Sequence, residues 1–254
     1  MFTFKQLTEV EVIVPLNVSG VWYPIRGSNL LTTGSIGISL TLDPPIIASA
    51  RVSSEPVIEL NGDVIKLKHL EILRSLGSLK LDIRSPVKLG YGYGLSGAIS
   101  LAYALSTAHI YNVNLNRALD TAHIAEVVNE TGLGDVVSEY YGGGILYRKK
   151  PGSPTVAEVE VFKVKGEVCS KPVEALPTRA IIKEFAAALD LIQEFLKSPS
   201  LVKFFEVSKR FSTYFGHRAE EGLTFRKKGL LLSLDRCGDG WTKHTVANHG
   251  AFVR

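Results

Sequence analysis

The chain has 254 residues, of which 21% are charged and 45% hydrophobic. This balance is typical of a soluble globular protein and excludes a disordered or fibrous one. The net charge of +4 comes from basic residues that are scattered along the chain, so the sequence disfavours nucleic-acid binding. No apolar run is long enough to cross a bilayer, and no secretory leader pattern is visible. We therefore expect a cytoplasmic protein that binds neither nucleic acid nor membrane and whose positive charge serves anionic small molecules.

The first half of the chain predicts strands followed by helices. Alternation of apolar and polar residues predicts strands at 8–15, broken at Pro15, and at 35–42 and 45–52, separated by Asp43-Pro44-Pro45. The apolar spacing over 64–77 predicts a helix that Gly77 caps, and 78–84 predicts a strand with one polar face. Two further helices are predicted, at 96–110 and 115–132.

The second half predicts a hairpin and then mainly helices. Strands are expected at 142–149 and 158–164 around the turn Pro151-Gly-Ser-Pro154, and apolar stripes predict helices at 178–197 and 201–216. We expect an α+β fold of two lobes, a mixed strand and helix lobe over 1–155 and a mainly helical lobe over 156–254.

The cysteines and histidines indicate no covalent or metal framework. Cys169 and Cys237 lie far apart with no motif spacing, so neither a disulfide nor a zinc site is expected, which agrees with a reducing cytoplasm. His244 and His249 are five residues apart without a third ligand, so zinc is not expected there either.

A glycine-rich segment, "VKLGYGYGLSGAISLAYAL" at 87–105, follows a predicted strand and leads into a predicted helix. Glycines expose backbone N–H groups, and a helix N-terminus attracts anions, so the segment predicts a phosphate-binding loop. A dinucleotide-binding unit is disfavoured because the preceding strand has a charged face and a second helix follows the first. A Walker A loop needs Gly-Lys, which the chain lacks, and the protein-kinase tripeptides HRD and DFG are also missing.

The same loop resembles that of the GHMP kinases, which has the form PxxxGLGSSAA. Residues 92–98, GYGLSGA, lie over GLGSSAA, with Ser96 on the second serine, Leu95 in place of the first, and Gly97 in place of the following alanine. Residues 14–22 and 122–135 are similar to two other motifs of that superfamily. Residues 33–40, 131–137 and 142–154 are similar to segments of its archaeal pantoate kinases, so the likeness covers roughly 8–155.

This resemblance implies an ATP- and Mg²⁺-dependent kinase of the two-lobed GHMP fold that phosphorylates pantoate on the way to coenzyme A. It implies that the ATP phosphates are held by the loop residues Gly90, Gly92, Gly94, Leu95, Ser96 and Gly97. Ser96 and Glu126 are the implied Mg²⁺ ligands, because Mg²⁺ takes one or two carboxylates with hydroxyl, water and phosphate oxygens. Glu130, one turn after Glu126, is the alternative ligand. A homodimer is left open.

Two further roles follow from the resemblance. Asp135 is the implied catalytic base that accepts the proton of the attacking hydroxyl. The alternative is a structural role, in which its side chain hydrogen-bonds to the backbone of its own turn. Arg148 is the implied partner of the pantoate carboxylate through a bidentate pair, and its alternative is that of a surface arginine. Residues 11–25 contain no lysine for charge relief, so a lysine role is not predicted.

Other functions remain open at this stage. Another GHMP kinase acting on mevalonate or homoserine would use the same motifs. A nucleotide-binding protein without catalysis is suggested by Leu95 and by the indistinct C-terminal glycine motif at 238–252. The presence of both Glu126 and Asp135 argues against that last alternative.

Overall fold

Two long strands, β1 (Glu9–Ile25) and β2 (Gly34–Val52), form the antiparallel hairpin on which the fold is built. The computed structural model describes residues 8–176, 184–218 and 220–254. In this part of the chain twelve strands form one sheet, in which β2 contacts four others along its length. The remaining strands are β3 (Val57–Leu60), β4 (Asp63–Val64), β5 (Leu79–Arg84), β6 (Ile145–Lys150), β7 (Glu158–Phe162), β8 (Glu167–Pro172), β9 (Thr224–Lys227), β10 (Leu230–Ser233), β11 (Thr242–Val246) and β12 (Phe252–Val253).

The prolines bend the central hairpin without ending its strands. The strand predicted to break at Pro15 continues to Ile25, and the two strands predicted around Pro44 are one. The pairing of β1 with β2 shifts between Val14 and Leu16, so Pro15 lies where a ladder hydrogen bond is not needed. The Asp43–Pro44 peptide is cis.

The helices are α1 (Leu70–Leu73), α2 (Leu95–Ile110), α3 (Leu115–Asn129), α4 (Asp135–Tyr141), α5 (Ala187–Lys197) and α6 (Leu201–Thr213). The predicted strand at 78–84 and the helices that start near 96 and at 115 are confirmed, and the hairpin around 151–154 is confirmed as β6 and β7. The helix predicted over 64–77 is wrong in its first part, because Val64 pairs with Glu59 as a strand; only α1 and a short 3-10 helix, Arg74–Leu76, follow.

The core lies between the sheet and helices packed on it. Almost every residue of α2 is buried, which explains why apolar and small residues occur all around this helix. Helix α6 approaches β1 closely at Gly20, where an added Cβ would lie 2.6 Å from the Phe204 ring. Phe204, Phe205 and Phe211 of α6 are fully buried, and each such burial contributes about 1.5–3 kcal/mol.

The C-terminal half contradicts one expectation. It was expected to be mainly helical, but β8 to β12 all follow residue 166, and β11 joins the sheet through β2. The predicted helix at 178–197 is described only from Ala187, and 177–183 lie outside the described residues. The proposed lobe boundary at 155/156 falls in the connection between β6 and β7 and stays a prediction.

The cysteine expectation is also wrong. Cys169 on β8 and Cys237, in the loop between β10 and β11, form a disulfide with a Cα–Cα distance of 5.4 Å. The two cysteines are 68 residues apart in sequence, but they meet in the fold because β8 pairs with β10 on one side and with β11 on the other. Their spacing in the sequence therefore does not indicate the pairing.

Among the described residues, no helix combines the length and apolar character needed to cross a bilayer.

Candidate active site

The glycine-rich loop lies against the N-terminus of α2, as the sequence predicts. Gly90, Gly92 and Gly94 have φ values of 94°, 109° and 74°, a backbone region that favours glycine. Gly94 immediately precedes α2, so the unpaired N–H groups of the first helical turn lie at the end of the loop. This arrangement can bind phosphate oxygens.

The loop forms one wall of a cavity of about 240 Å³. Five of the six residues predicted to bind ATP line it, together with the predicted base Asp135. Gly97 lies behind this wall, where an added Cβ would be 3.0 Å from Cβ of Asp135. The complete lining comprises Leu67, Leu89, Gly90, Gly92, Tyr93, Gly94, Leu95, Ser96, Asn129, Glu130, Thr131, Asp135, Leu176, Lys227 and Lys228.

Asp135 is the first residue of α4 and is partly exposed to the cavity. Its Oδ1 accepts a 2.6 Å hydrogen bond from Nδ2 of Asn17, which is fully buried in β1. Gly134 precedes it, and an added Cβ at Gly134 would lie 2.5 Å from Nε of Arg148. Asn17 therefore orients the carboxylate, and Arg148 packs against the backbone just before it.

Ser96 and Glu126 lie together although Glu126 does not reach the cavity wall. Oγ of Ser96 donates a 3.2 Å hydrogen bond to Oε2 of Glu126, which joins α2 to α3. The side chain of Glu126 is almost completely buried, and its Oε1 lies 2.7 Å from Nε2 of His69. No local pattern in the sequence connects His69 with this pair. A hydroxyl and a carboxylate suit Mg²⁺; no group of three or more metal-binding side chains occurs in the described ranges.

Arg148 lies in a different place from the one expected of a substrate-binding residue. It is 1% exposed and does not line the cavity. Its Nη1 donates to Oγ of Ser39 at 2.9 Å and to Oγ of Ser138 at 2.8 Å, and its Nε donates to the carbonyl of Ser35. Burial lowers the pKa of Arg148 to about 10, and Asp135 opposes this shift. The contact with a substrate carboxylate stays a prediction, and the surface alternative does not fit the burial.

Three charged residues near the cavity were not predicted from the sequence as site residues. Glu139 is fully buried beside Gly94 and Gly97, and neither of its oxygens has a hydrogen-bond partner among the described residues. Burial, with the nearby Asp135 and Glu126, raises the pKa of Glu139 well above its ordinary value. Burial lowers the pKa of Lys227, and burial together with Lys227 lowers that of Lys228 to about 8. Both lysines belong to the basic run at 225–228. This run lies 90 residues after Asp135, so the sequence alone does not indicate that it shares a site with Asp135.

A chain of hydrogen bonds anchors the glycine loop to the C-terminal strands. The hydroxyls of Tyr93 and Ser170 lie 2.7 Å apart, and Oγ of Ser170 is 2.7 Å from Nε2 of His244. Tyr93 belongs to the loop, Ser170 to β8 and His244 to β11. The buried His244 thus has a place in loop anchoring.

Comparison with known proteins shows which class of protein this site resembles. Residues 63–143, which include the glycine loop, Glu126 and Asp135, match the model of the GHMP kinases N terminal domain. The resemblance to the GHMP kinases that the motifs predict is therefore confirmed over these residues.

The similarity extends to particular members of that class. The chain is 29% identical over 220 residues to the pantoate kinase of Methanocaldococcus jannaschii, covering 81% of this chain and 80% of that protein. It is 24% identical over 225 residues to the pantoate kinase of Thermococcus kodakarensis, covering 80% and 75%.

Solved structures share the fold. A phosphotransferase related to the CoA biosynthesis pathway superimposes with a TM-score of 0.83 at 20% identity, over 97% of this chain and 98% of that one. A homoserine kinase from Cytophaga hutchinsonii has a TM-score of 0.61 at 14% identity over the full length of both chains. A complex of MDDEF with MVAPP, AMPPCP and magnesium has a TM-score of 0.68 at 12% identity, over 97% and 99%. The expected mixed α+β fold is thus confirmed.

Proposed function

We propose that the protein transfers the γ-phosphoryl group of ATP to the primary hydroxyl of pantoate, giving 4-phosphopantoate and ADP, a step of coenzyme A biosynthesis. The observation that carries this proposal is that the glycine loop, Ser96 and Asp135 line one cavity. The choice of pantoate is supported by the two pantoate kinases that match most of the chain.

Different groups of the site bind the phosphates and accept the proton of the hydroxyl. The N–H groups of the loop and of the first turn of α2 bind the phosphates and fix their position. Asp135 accepts the proton of the pantoate hydroxyl while the hydroxyl oxygen forms a bond to the γ-phosphorus of ATP. At the same time the bond between the γ-phosphorus and the bridging oxygen of the β-phosphate breaks, which releases ADP. Because Asn17 donates its hydrogen bond to Oδ1 of Asp135, Oδ2 is the oxygen that accepts the proton.

Ser96 and Glu126 would hold Mg²⁺, since their oxygens are adjacent and of the type that this ion prefers. When bound, the ion neutralises charge on the phosphates. His69, buried against Glu126, fixes the orientation of that carboxylate. These assignments use side chains from α2, α3 and the segment before α1, which the fold brings together behind the loop.

Arg148 is better placed to support the site than to contact the substrate directly. Its hydrogen bonds to Ser39 and Ser138 tie β6 to β2 and α4, and Asp135 lies close enough to oppose the lowering of the guanidinium pKa by burial. Direct binding of the pantoate carboxylate, the role implied by the resemblance, would require the buried guanidinium to become accessible from the cavity.

The experiment is ADP release measured at steady state with MgATP and a panel of pantoate, mevalonate and homoserine, with phosphorus NMR to identify the product. We expect pantoate to support turnover with a phosphomonoester as product, and the other two acceptors to remain near the rate without acceptor. Turnover on mevalonate or homoserine instead would replace the proposed substrate. Nucleotide binding without turnover on any acceptor would identify a binding protein.

A further inference from the structure

Lys227 places an ammonium group beside the proposed phosphate site. It is the last residue of β9, is 7% exposed, and lines the cavity with Gly92 and Asp135. Its stem lies against the glycine loop, because a Cβ added at Gly92 would be 3.4 Å from the carbonyl oxygen of Lys227 and 3.8 Å from its Cδ.

The backbone of Lys227 is held firmly. It pairs with Leu230 in the β9–β10 hairpin, and β10 pairs in turn with β8 of the main sheet. A lysine at the end of a fixed strand loses less freedom on binding than one in an open loop. The sheet therefore delivers this cation to the cavity from the C-terminal half of the chain.

Within the described residues, no carboxylate forms an ion pair with the ammonium of Lys227. Burial lowers the pKa of Lys227, and at longer range Asp135 and Glu139 raise it while Arg148 lowers it further. A largely buried charge without a direct counter-ion is costly in free energy unless a ligand supplies the opposite charge. The neighbouring phosphate-binding loop indicates which ligand that is.

We propose that Lys227 is a catalytic residue whose ammonium contacts the phosphoryl group under transfer and stabilises its negative charge. The inference rests on the proposed phosphoryl transfer. The lysine keeps its proton throughout, while Asp135 takes the proton of the acceptor hydroxyl. This assigns the charge-relief role to a residue of the C-terminal half, since residues 11–25 contain no lysine.

The test compares Lys227→Met and Lys227→Arg with Lys243→Met as a control, because Lys243 of β11 is exposed, does not line the cavity and pairs with Glu167 of β8. We expect Lys227→Met to lower kcat for pantoate phosphorylation about 10²–10³-fold, as the loss of one preorganised charge donor does elsewhere. Lys227→Arg should retain part of the rate, and Lys243→Met all of it. Circular dichroism and the thermal midpoint verify folding, and Lys227→Gln replaces the methionine variant if that one does not fold.

A second readout separates this inference from the proposed function. Calorimetry gives Kd for ATP and for AMP with each variant. We expect Lys227→Met to weaken ATP binding at least about tenfold while AMP binding changes less than about twofold. A kcat and an ATP Kd within about twofold of the wild type would overturn the role of Lys227. If the wild type phosphorylates no acceptor, the proposed function fails, and the ratio of the two Kd values alone decides on Lys227.

Discussion

Asn17 and Asp135 are joined by a 2.6 Å hydrogen bond from the buried Nδ2 of a strand residue to the carboxylate at the start of a helix. Asn17 is fixed by its pairing with Thr41 in β2, and its backbone N–H donates to the carbonyl of Tyr93 in the glycine loop. One residue of the central hairpin therefore fixes both the proposed base and the proposed phosphate loop.

We expect Asn17→Ala to lower kcat about 10- to 100-fold, because a hydrogen bond to a charged group is worth about 1.5–3 kcal/mol. The nucleotide Kd should change little, since the amide itself does not line the cavity. Steady-state kinetics and calorimetry check this, with the exposed Asn248→Ala as the control. A kcat equal to that of the control would show that Asp135 needs no orientation by Asn17.

The metal assignment predicts a change in Mg²⁺ dependence. Ser96→Ala and Glu126→Gln should both raise the Mg²⁺ concentration that gives half-maximal activity, because each removes one of the two adjacent oxygen ligands. Glu130→Gln is the matched control one turn away and should leave this concentration unchanged. The assignment would have to move to Glu130 if only that variant altered the Mg²⁺ dependence in a titration of kcat.

Glu139 predicts an unusual pH dependence of stability. Its pKa in the folded protein is raised above the ordinary value of 4.5, first by burial and then by Asp135 and Glu126. The stability associated with the neutral carboxyl is therefore complete below about pH 4.5 and decreases as the pH rises towards the folded-state pKa.

Glu139→Gln keeps the shape of the neutral acid, so it should raise the thermal midpoint at pH 7 relative to the wild type and change it little at pH 4. For a chain of this length, 1 kcal/mol corresponds to about 2–4 °C. Differential scanning calorimetry at the two pH values measures this. A wild type that is more stable than the variant at pH 7 would contradict the raised pKa.

The disulfide predicts sensitivity to reductant. Closing a loop of 68 residues contributes about 2–4 kcal/mol to the free energy of unfolding. We expect dithiothreitol to lower the thermal midpoint of the wild type by several degrees and to leave that of Cys237→Ser unchanged. Equal midpoints of the wild type with and without reductant would show that Cys169 and Cys237 are not bonded in solution.

Local patterns predicted the phosphate-binding loop, and the resemblance to the GHMP kinases implied roles for Glu126 and Asp135 nearby in sequence. The loop at 90–97, Glu126 and Asp135 all lie between 87 and 135, where turn residues and helix ends are set by neighbours along the chain. Their contacts, such as Ser96 to Glu126, follow from the packing of α2 against α3.

Partners that come from distant strands could not be predicted in the same way. Asn17 and Lys227 reach the site through sheet topology, and His69 reaches it from the turn before α1. None of these residues carries a local mark of the residue it contacts. The same limit explains the missed disulfide and the prolines that bend β1 and β2 without ending them. Hydrophobic alternation predicts that a strand exists but not which strand lies beside it.

The central claim is that Asp135 is the base of a phosphoryl transfer, and Asp135→Asn tests it most directly. The amide preserves the size of the side chain and can still accept the hydrogen bond from Asn17, so the turn and the fold should persist. It cannot accept the proton of the hydroxyl.

The decisive measurement is kcat of Asp135→Asn with MgATP and pantoate, taken with the nucleotide Kd and the thermal midpoint. We predict a fall in kcat of about 10²–10⁴-fold with a nucleotide Kd within about threefold of the wild type. Asp135→Ala, measured alongside, gives the cost of losing the side chain altogether, about 1 kcal/mol of stability if it also supports the start of α4. An Asp135→Asn enzyme with wild-type kcat, beside a destabilised Asp135→Ala, would contradict the catalytic role and leave Asp135 as a structural residue of α4.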